Sequence, residues 1–525
     1  MTIGEVLTQQ ARVRPRATAL IDDQHGRRLT FAELEDQVAR GAGWWHARGV
    51  RRGQPVLVFV PMCADLYIAL LGLFRVGAIA VFLDPSAGAD HIERCCERIP
   101  PVAFLGIPKA HLLRLKSKAL RKIPLKITTR YWVPGAQRWL KNASDPALRE
   151  SLAVPEDAAL VTFTSGSTGV PKATVRTHEF LLAQYQVLAP NISLEAGEVD
   201  LATLPVFVLA SLAAGVATVI PDVDLRSPGS VNASAIFAQV ERHRVTRITA
   251  SPAFFERLIK FNRTTGRTLP TVTKIFTGGA PVFPRVLAAL TQLAPNAQIE
   301  SVYGSTEAEP IAHIGAEAIT PADLEAMKLG QGLLAGTPVR EVQLAILRDE
   351  WGQARQPLKL SELQSLRLKT DEIGEIVVSG AHVLRGYLDG VGDAETKFLV
   401  DGQVWHRTGD AGALDANGRL WLHGRCAAKI PGAAGPLYPL GIETIATMFP
   451  HVVRAAVVSH QGKRALIVAG DIGQPMLNSI QEAVRVAGIE HVLAVDRLPV
   501  DRRHNAKIDY PELHKLLNRR DNIAG

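Results

Sequence analysis

Residues 158–174 read AALVTFTSGSTGVPKAT, and the fold of the chain turns on them. Ala158 to Phe163 is a short, mostly apolar run of the kind that forms a buried strand. It feeds a loop in which Thr164, Ser165, Ser167 and Thr168 supply hydroxyls. Gly166 and Gly169 let the backbone turn tightly and approach a ligand closely. Lys172 places a positive charge at the exit. Convergent backbone N–H groups, hydroxyls and a lysine are what a polyphosphate needs. The spacing is not that of the P-loop G-x-x-x-x-G-K-[ST], because only two residues separate Gly169 from Lys172. A flexible Ser/Gly linker would also carry these residue types, but the strand before the loop and the Pro-Lys exit argue against it.

Around this loop, composition sets the bounds. A chain of 525 residues exceeds what a single core fills, so at least two domains are expected. Apolar residues at 47% and charged residues at 21% are those of an ordinary globular protein. Lys+Arg 59 against Asp+Glu 51 leaves +8, spread too thinly to imply nucleic acid, and no zinc-finger, RNP or homeodomain pattern occurs. Cys63, Cys95, Cys96 and Cys426 lack metal-ligand spacing. With no apolar signal core at the N-terminus, they point to a reduced, cytoplasmic setting. The most hydrophobic stretch, residues 56–83, is broken by Pro61, Asp65, Arg75 and Gly77. It reads as strand Val56–Val60, helix Ala64–Arg75 and strand Ala78–Leu83, a buried βαβ unit and not a membrane span.

Thr30 and Glu33 form a capping-box signature before a helix. Strand and helix patterns alternate over residues 51–108 and again from 155 to 340, the mark of an α/β protein. Residues 373–425 switch to short strands with Gly/Asp/Asn turns, a small β-rich subdomain. The last hundred residues read as a compact αβ unit, with strands Val452–Ser459 and Arg464–Ala469 and helix Asn478–Ala487. Residues 107–141 stand apart. Lys109, Arg114, Lys116, Lys118, Arg121, Lys122, Lys126 and Arg130 crowd together without an acid, followed by Tyr131, Trp132 and Trp139. Such a stretch can lie on an anionic membrane or dock an acidic partner. It can also be a solvated basic face with a few anchoring aromatics, the reading favoured by the interruptions at Pro124 and Pro134.

Four further strings carry chemistry. In Ser301-Val302-Tyr303-Gly304-Ser305-Thr306-Glu307, Gly304 and Ser305 are expected to form a strand-exit turn. Glu307 supplies an acid suited to Mg²⁺, which takes one or two carboxylates with phosphate oxygens and water. Thr277-Gly278-Gly279-Ala280-Pro281 reads as another strand-exit turn, where open parallel sheets bind ligands. In Trp405-His406-Arg407-Thr408-Gly409-Asp410, Asp410 can accept from both ribose hydroxyls. Arg425 can fix that carboxylate or reach a phosphate. The last string is Arg503-His504-Asn505-Ala506-Lys507. A lysine there would offset negative charge as a carboxylate attacks phosphorus.

Together with the loop, these strings resemble, in order and over nearly the whole chain, the adenylate-forming enzymes: acyl-CoA synthetases, luciferases and peptide-synthetase adenylation domains. The resemblance implies an α/β fold with a large N-terminal domain (1–425) of two doubly wound αβ halves plus the β-rich subdomain. A small mobile αβ C-terminal domain (426–525) follows, hinged near Cys426-Ala427. It implies ATP and Mg²⁺ as cofactors, with Thr164, Glu307 and Lys507 as catalytic residues and Glu307 serving the metal. Thr164, Ser165, Gly166, Ser167, Thr168, Gly169 and Lys172 would hold phosphates. Gly278, Gly279, Ala280 and Pro281 would border adenine, and Tyr303 would stack on it. Gly304, Ser305 and Thr306 would line the nucleotide, Thr306 on the phosphate side, and Asp410 and Arg425 would meet the ribose.

Two departures narrow this picture. After Gly424-Arg425 the usual aspartate pair is replaced by Ala427 and Ala428, and Pro431 and Pro436 stiffen the loop, which weakens a coenzyme A half-reaction. Val208 stands where the family often has a histidine. Phe207, Val208, Leu209, Ala210, Leu212, Ala213, Ala214 and Gly215 offer either an apolar wall for a long alkyl chain or an ordinary core helix. With these departures the chain is similar to the β-lactone synthetases of olefin biosynthesis. These activate a 2-alkyl-3-hydroxy fatty acid and let its own hydroxyl capture the acyl adenylate, so that proximity replaces a second substrate. That likeness implies a long-chain hydroxy-acid substrate and leaves room for a complex with other olefin-pathway enzymes; peripheral membrane contact through residues 109–130 is the other reading of the basic stretch. A long-chain acyl-CoA ligase, an acyl-AMP ligase loading a carrier protein and a non-catalytic adenylate-binding protein remain as alternatives.

Overall fold

The computed structural model describes residues 1–84, 87–140, 145–164, 171–432, 435–485, 487–500 and 508–524. Thr30 starts the helix Phe31–Ala47 as its sequence requires. Its hydroxyl accepts from the Glu33 amide while the Glu33 carboxylate accepts from the Thr30 amide. The buried face of that helix carries Trp44 and Trp45, and both meet Trp139, at 5.0 and 4.9 Å between ring centroids. Trp139 is therefore a core residue and not part of the exposed basic stretch. Each aromatic pair adds about 0.5–1.5 kcal/mol beyond area burial. The helix also lies close against helix Ala64–Val76, where a Cβ at Gly72 would come within 3.1 Å of the Ala42 amide.

That second helix is the crossover of the expected βαβ unit, joining strands Pro55–Phe59 and Ile79–Phe82 in parallel. They sit in a seven-stranded sheet in the spatial order Gln137–Arg138, Leu125–Thr128, Ala103–Gly106, Pro55–Phe59, Ile79–Phe82, Ala158–Thr164, Lys172–Thr177. All neighbours are parallel except the last pair, which forms a hairpin. These strands belong to a compact unit made of Met1–Asp222 together with Ala381–Ala394. The same unit holds a second ladder, Val199–Ala202, Ala217–Ile220, Thr18–Asp22 and Arg27–Thr30. Helix Pro205–Ala213 is buried there, with Val208, Leu209, Leu212 and Ala213 in the main core cluster. The helix packs as a core helix does, and Leu209 and Ala210 also line an apolar cleft with Ile3, Leu181 and Leu188.

The other unit comprises Val223–Gly380 and Glu395–Gly525. It opens with parallel strands Arg247–Ala250, Lys274–Gly278 and Gln298–Ser305. The ladder then turns antiparallel through Ala308–Gly315, Leu333–Pro338, Leu420–Arg425, Gln403–Leu414, Gly374–Ser379 and Gln343–Leu347, so the β-rich region begins well before the expected 373–425 and reaches into the range read as α/β alternation. The last hundred residues carry their own three-stranded sheet, Val452–His460, Lys463–Gly470 and His491–Val495. Its alternation is clean. Ala455 and Val457 join one core with Ile442 and Ile480, while Ala456 and Val458 join another with Leu513 and Leu517. Among the described residues no helix is long and apolar enough to cross a membrane.

Candidate active site

Strand Ala158–Thr164 pairs with Lys172–Thr177 so that Thr164 stands opposite Lys172, and the phosphate-loop sequence is the connection of this hairpin. Ser165, Gly166, Ser167, Thr168 and Gly169 lie outside the described residues, as does Lys507; Thr164 is described by its backbone alone. The hairpin's base is fixed from several sides. The Thr162 and Thr174 hydroxyls share a hydrogen bond of 2.6 Å, and Thr174 bridges to the backbone of Tyr387. Arg98 donates to the Pro171 carbonyl at 2.5 Å and the Leu388 carbonyl at 2.7 Å, stapling the loop exit to the segment Ala381–Ala394. Gly392, at φ +103°, leaves room for Lys172, whose Nζ would lie 3.0 Å from a Cβ there. Sequence reasoning missed Arg98, Tyr387 and Gly392. Arg98 closes the helix Ala89–Arg98, and no local pattern marks its partners far along the chain.

In the second unit, Gly278 and Val302 are register partners on adjacent parallel strands, so Gly278–Pro281 and Tyr303–Glu307 emerge at the same carboxyl end. A Cβ at Gly278 would sit 2.4 Å from the Val302 carbonyl oxygen, which explains the glycine. Gly279 adopts φ +81°, a left-handed turn with open space beside it. The turn after Tyr303 is not where it was expected. Gly304 and Ser305 belong to strand Gln298–Ser305, Ser305 pairs with Ala308, and the two-residue loop is Thr306-Glu307. The Ser305 hydroxyl accepts from the Glu307 amide at 3.2 Å and so shapes that loop.

Asp410 and Arg425 face each other across strands Gln403–Leu414 and Leu420–Arg425. Arg425 Nη1 donates to Asp410 Oδ1 at 2.8 Å, and Tyr303 Oη donates to Oδ2 at 2.8 Å. Two sequence-assigned residues therefore converge on the carboxylate of a third. Burial, then the Asp410 charge, pushes the Tyr303 phenol well up, so it stays a donor. The Asp410 charge likewise raises the Arg425 guanidinium, even though that side chain is 61% exposed. A carboxylate offers about four lone-pair sites, and two here are taken, leaving two for a vicinal diol. Asp410 itself is set by the Thr408 hydroxyl, which accepts from the Asp410 amide at 3.0 Å and donates to the Ile376 carbonyl at 2.9 Å.

Behind this surface lie residues to which no role had been given. Arg407 and Glu375 form a fully buried pair with a closest approach of 2.7 Å, and Arg407 lies over the Trp351 ring. His406 is buried beside Lys397, its Nδ1 3.1 Å from Nζ; burial and that cation push it down to about 3, so it is neutral. His313 Nδ1 pairs with Glu300 at 2.9 Å. His313 stands opposite Val302 in the ladder, on the face away from Tyr303.

Lys429 and Tyr438 are held by one acid. Asp349 accepts from Lys429 Nζ at 2.9 Å and from the Tyr438 hydroxyl at 2.8 Å, on either side of an antiparallel bridge between Ile430 and Leu437. Burial opposes its charge, but the Trp351 amide, Lys429 and Tyr438 together hold the carboxyl below its usual range.

The family model described as AMP-binding enzyme matches residues 7–388, which include the hairpin, the Gly278–Pro281 turn and Tyr303–Glu307. The chain belongs to the AMP-binding enzyme family. It is an ATP-dependent, AMP-forming ligase. This AMP-binding enzyme is 35% identical to an olefin beta-lactone synthetase from Stenotrophomonas maltophilia, over 92% of this chain and 90% of that one. It is 32% identical to an olefin beta-lactone synthetase from Xanthomonas campestris, again over 92% and 90%. Its fold matches an amide bond synthetase from Marinactinospora thermotolerans with a TM-score of 0.80 at 20% identity, covering 98% and 99% of the two chains. The residues in place fit ATP: Asp410 keeps acceptor capacity for the ribose, and Gly279 faces open space.

Proposed function

We propose that the enzyme adenylates a long-chain 2-alkyl-3-hydroxy fatty acid and closes it to a β-lactone. The observation that carries this reading is the likeness, along 92% of the chain, to two enzymes named olefin beta-lactone synthetase. The substrate carboxylate attacks the α-phosphorus, the bond to the β-phosphate oxygen breaks, and pyrophosphate leaves. The 3-hydroxyl oxygen then attacks the acyl carbonyl carbon and gives up its proton to solvent, the bond from that carbon to the phosphate oxygen breaks, and AMP leaves with the oxygen and its electron pair. Because the nucleophile is tethered to the electrophile, no second substrate has to be brought in.

The roles follow the site. Asp410 accepts from the ribose hydroxyls, Arg425 and Tyr303 hold that carboxylate in place, and the Gly278–Pro281 turn borders adenine. Thr164 to Gly169, with Lys172, take the phosphates, and Lys507 offsets charge at the reacting phosphorus. Glu307 would hold Mg²⁺ together with phosphate oxygens and water, and the ion would neutralise the leaving pyrophosphate. Residues 426–525 form the mobile domain that brings Lys507 to the site. Ala427 and Ala428, in place of acids, and the Lys429–Asp349–Tyr438 arrangement support a linker not built around a thiol.

The test is a product assay with ATP, Mg²⁺ and a 2-alkyl-3-hydroxy fatty acid, without coenzyme A, read by NMR on unheated extract. A four-membered lactone formed with AMP and pyrophosphate is expected. AMP released only when coenzyme A is added, with a thioester as product, would make the enzyme an acyl-CoA ligase.

A further inference from the structure

The basic stretch gains a shape in the structure that its sequence does not disclose. Leu112, Leu115, Tyr131 and Trp132 are 61%, 77%, 68% and 71% exposed, among the most exposed large apolar side chains of the described residues. They come from two segments tied together by Arg114. Its Nη1 donates to the Pro134 carbonyl at 3.0 Å, and its own carbonyl accepts from Arg121 at 3.1 Å. Around them Lys109, Lys116, Lys118, Arg121, Lys122 and Arg130 are all exposed. No Asp or Glu occurs between residues 107 and 141.

We propose that this patch docks the enzyme on an anionic lipid bilayer, with Trp132, Tyr131, Leu112 and Leu115 entering the interfacial layer and the cations meeting the headgroups. Two features favour lipid over an acidic protein. Lysine is depleted at protein–protein interfaces, whereas here it dominates. A bilayer also offers diffuse negative charge and apolar depth in one place, which is what exposed Trp, Tyr and Leu ringed by lysines match.

The topology gives the docking a direction. The segments bearing the patch leave strands Ala103–Gly106 and Leu125–Thr128 at their carboxyl ends. Those strands run parallel to Ala158–Thr164, which delivers the phosphate-loop sequence at the same end of the sheet. With neighbouring strands about 4.8 Å apart, the patch begins roughly 15–20 Å from the carboxyl end of Ala158–Thr164. Docking therefore turns the ligand-binding rim of this sheet toward the lipid. The inference goes beyond the lactone reading and does not depend on it.

Full-length enzyme is sedimented with vesicles of phosphatidylcholine alone and of phosphatidylcholine mixed with phosphatidylglycerol. Binding to the mixed vesicles, lost at high salt, is expected, with little to the neutral ones. Lys116→Gln, Lys118→Gln and Lys122→Gln should each weaken it about fivefold. Trp132→Ser combined with Leu115→Ser should weaken it several-fold further and abolish quenching of tryptophan fluorescence by brominated lipid, with the melting temperature unchanged. Failure to sediment with mixed vesicles would overturn the proposal and leave the patch to a protein partner. So would binding insensitive to the Trp132/Leu115 pair, which would reduce the contact to charge alone. Neither outcome bears on which product the enzyme makes.

Discussion

Strand Gln403–Leu414 carries half of two carboxylate–guanidinium pairs three residues apart, and they do opposite things. Arg407 meets Glu375 with both side chains at 0% exposure, and every donor and acceptor is turned inward. Asp410 meets Arg425 with exposures of 18% and 61%, and the carboxylate keeps capacity to spare. The inner pair gives up water entirely, so its value depends on both partners being present. The outer pair is screened and contributes little to stability, but it holds an oriented carboxylate with acceptor capacity left over. Identical chemistry is closed off at one depth and left open at another.

The comparison breaks most severely at the inner pair. Arg407→Met leaves the Glu375 carboxylate buried without its cation and should cost about 3–5 kcal/mol in urea unfolding. Adding Glu375→Gln should recover most of that loss. Recovery would fix the pair's role as mutual compensation and not as net stabilisation.

A third carboxylate sharpens the contrast, because it is buried and, among the described residues, bonded by neutral donors. Glu443 accepts from the Val457 amide at 3.1 Å and the Tyr510 hydroxyl at 3.4 Å, and burial pushes it up to about 7. A carboxyl raised on folding contributes stability that is complete below its ordinary value of 4.5 and is lost as pH rises through 7. Glu443→Gln keeps an acceptor for both donors. It should therefore stabilise the protein by up to about 3 kcal/mol at pH 8, with the gain vanishing near pH 4.5, as read from denaturation midpoints across that range.

At the outer pair the effect moves from stability to catalysis. Asp410→Asn should change unfolding free energy by less than about 1 kcal/mol. It should lower kcat/KM for ATP by roughly 10- to 100-fold in a pyrophosphate-release assay, because hydrogen bonds to charge are worth about 1.5–3 kcal/mol. The smallest change is expected from Tyr303→Phe, which removes one donor to Asp410. A rise of a few-fold in KM for ATP, from a bond worth about 0.5–1.5 kcal/mol, would show that Tyr303 positions the carboxylate.

Local strings were legible because local physics decides them. The capping box at Thr30 and the βαβ unit follow from spacing and hydrophobic pattern along one stretch of chain. Register was harder. Gly304 and Ser305 have turn composition, yet pairing of Ser305 with Ala308 moves the turn onward to Thr306-Glu307. Trp139 follows a basic, aromatic run, but Trp44 and Trp45 offer it a partner a hundred residues upstream, and burial wins. Arg98, Glu375 and Gly392 were beyond reach, because their partners are set by the topology and by no motif. The phosphate-side residues Ser165–Gly169 and Lys507 lie outside the described residues.

The first unit is discontinuous. It is begun by residues up to Asp222 and finished by Ala381–Ala394. Tyr387, Leu388 and Gly392, which brace the phosphate-loop hairpin, all belong to that returning piece. On the ribosome, at about 5–20 residues per second, the hairpin waits on the order of ten to forty seconds for its own wall to be made. The order of synthesis thus keeps the hairpin without these braces until much of the second unit has emerged.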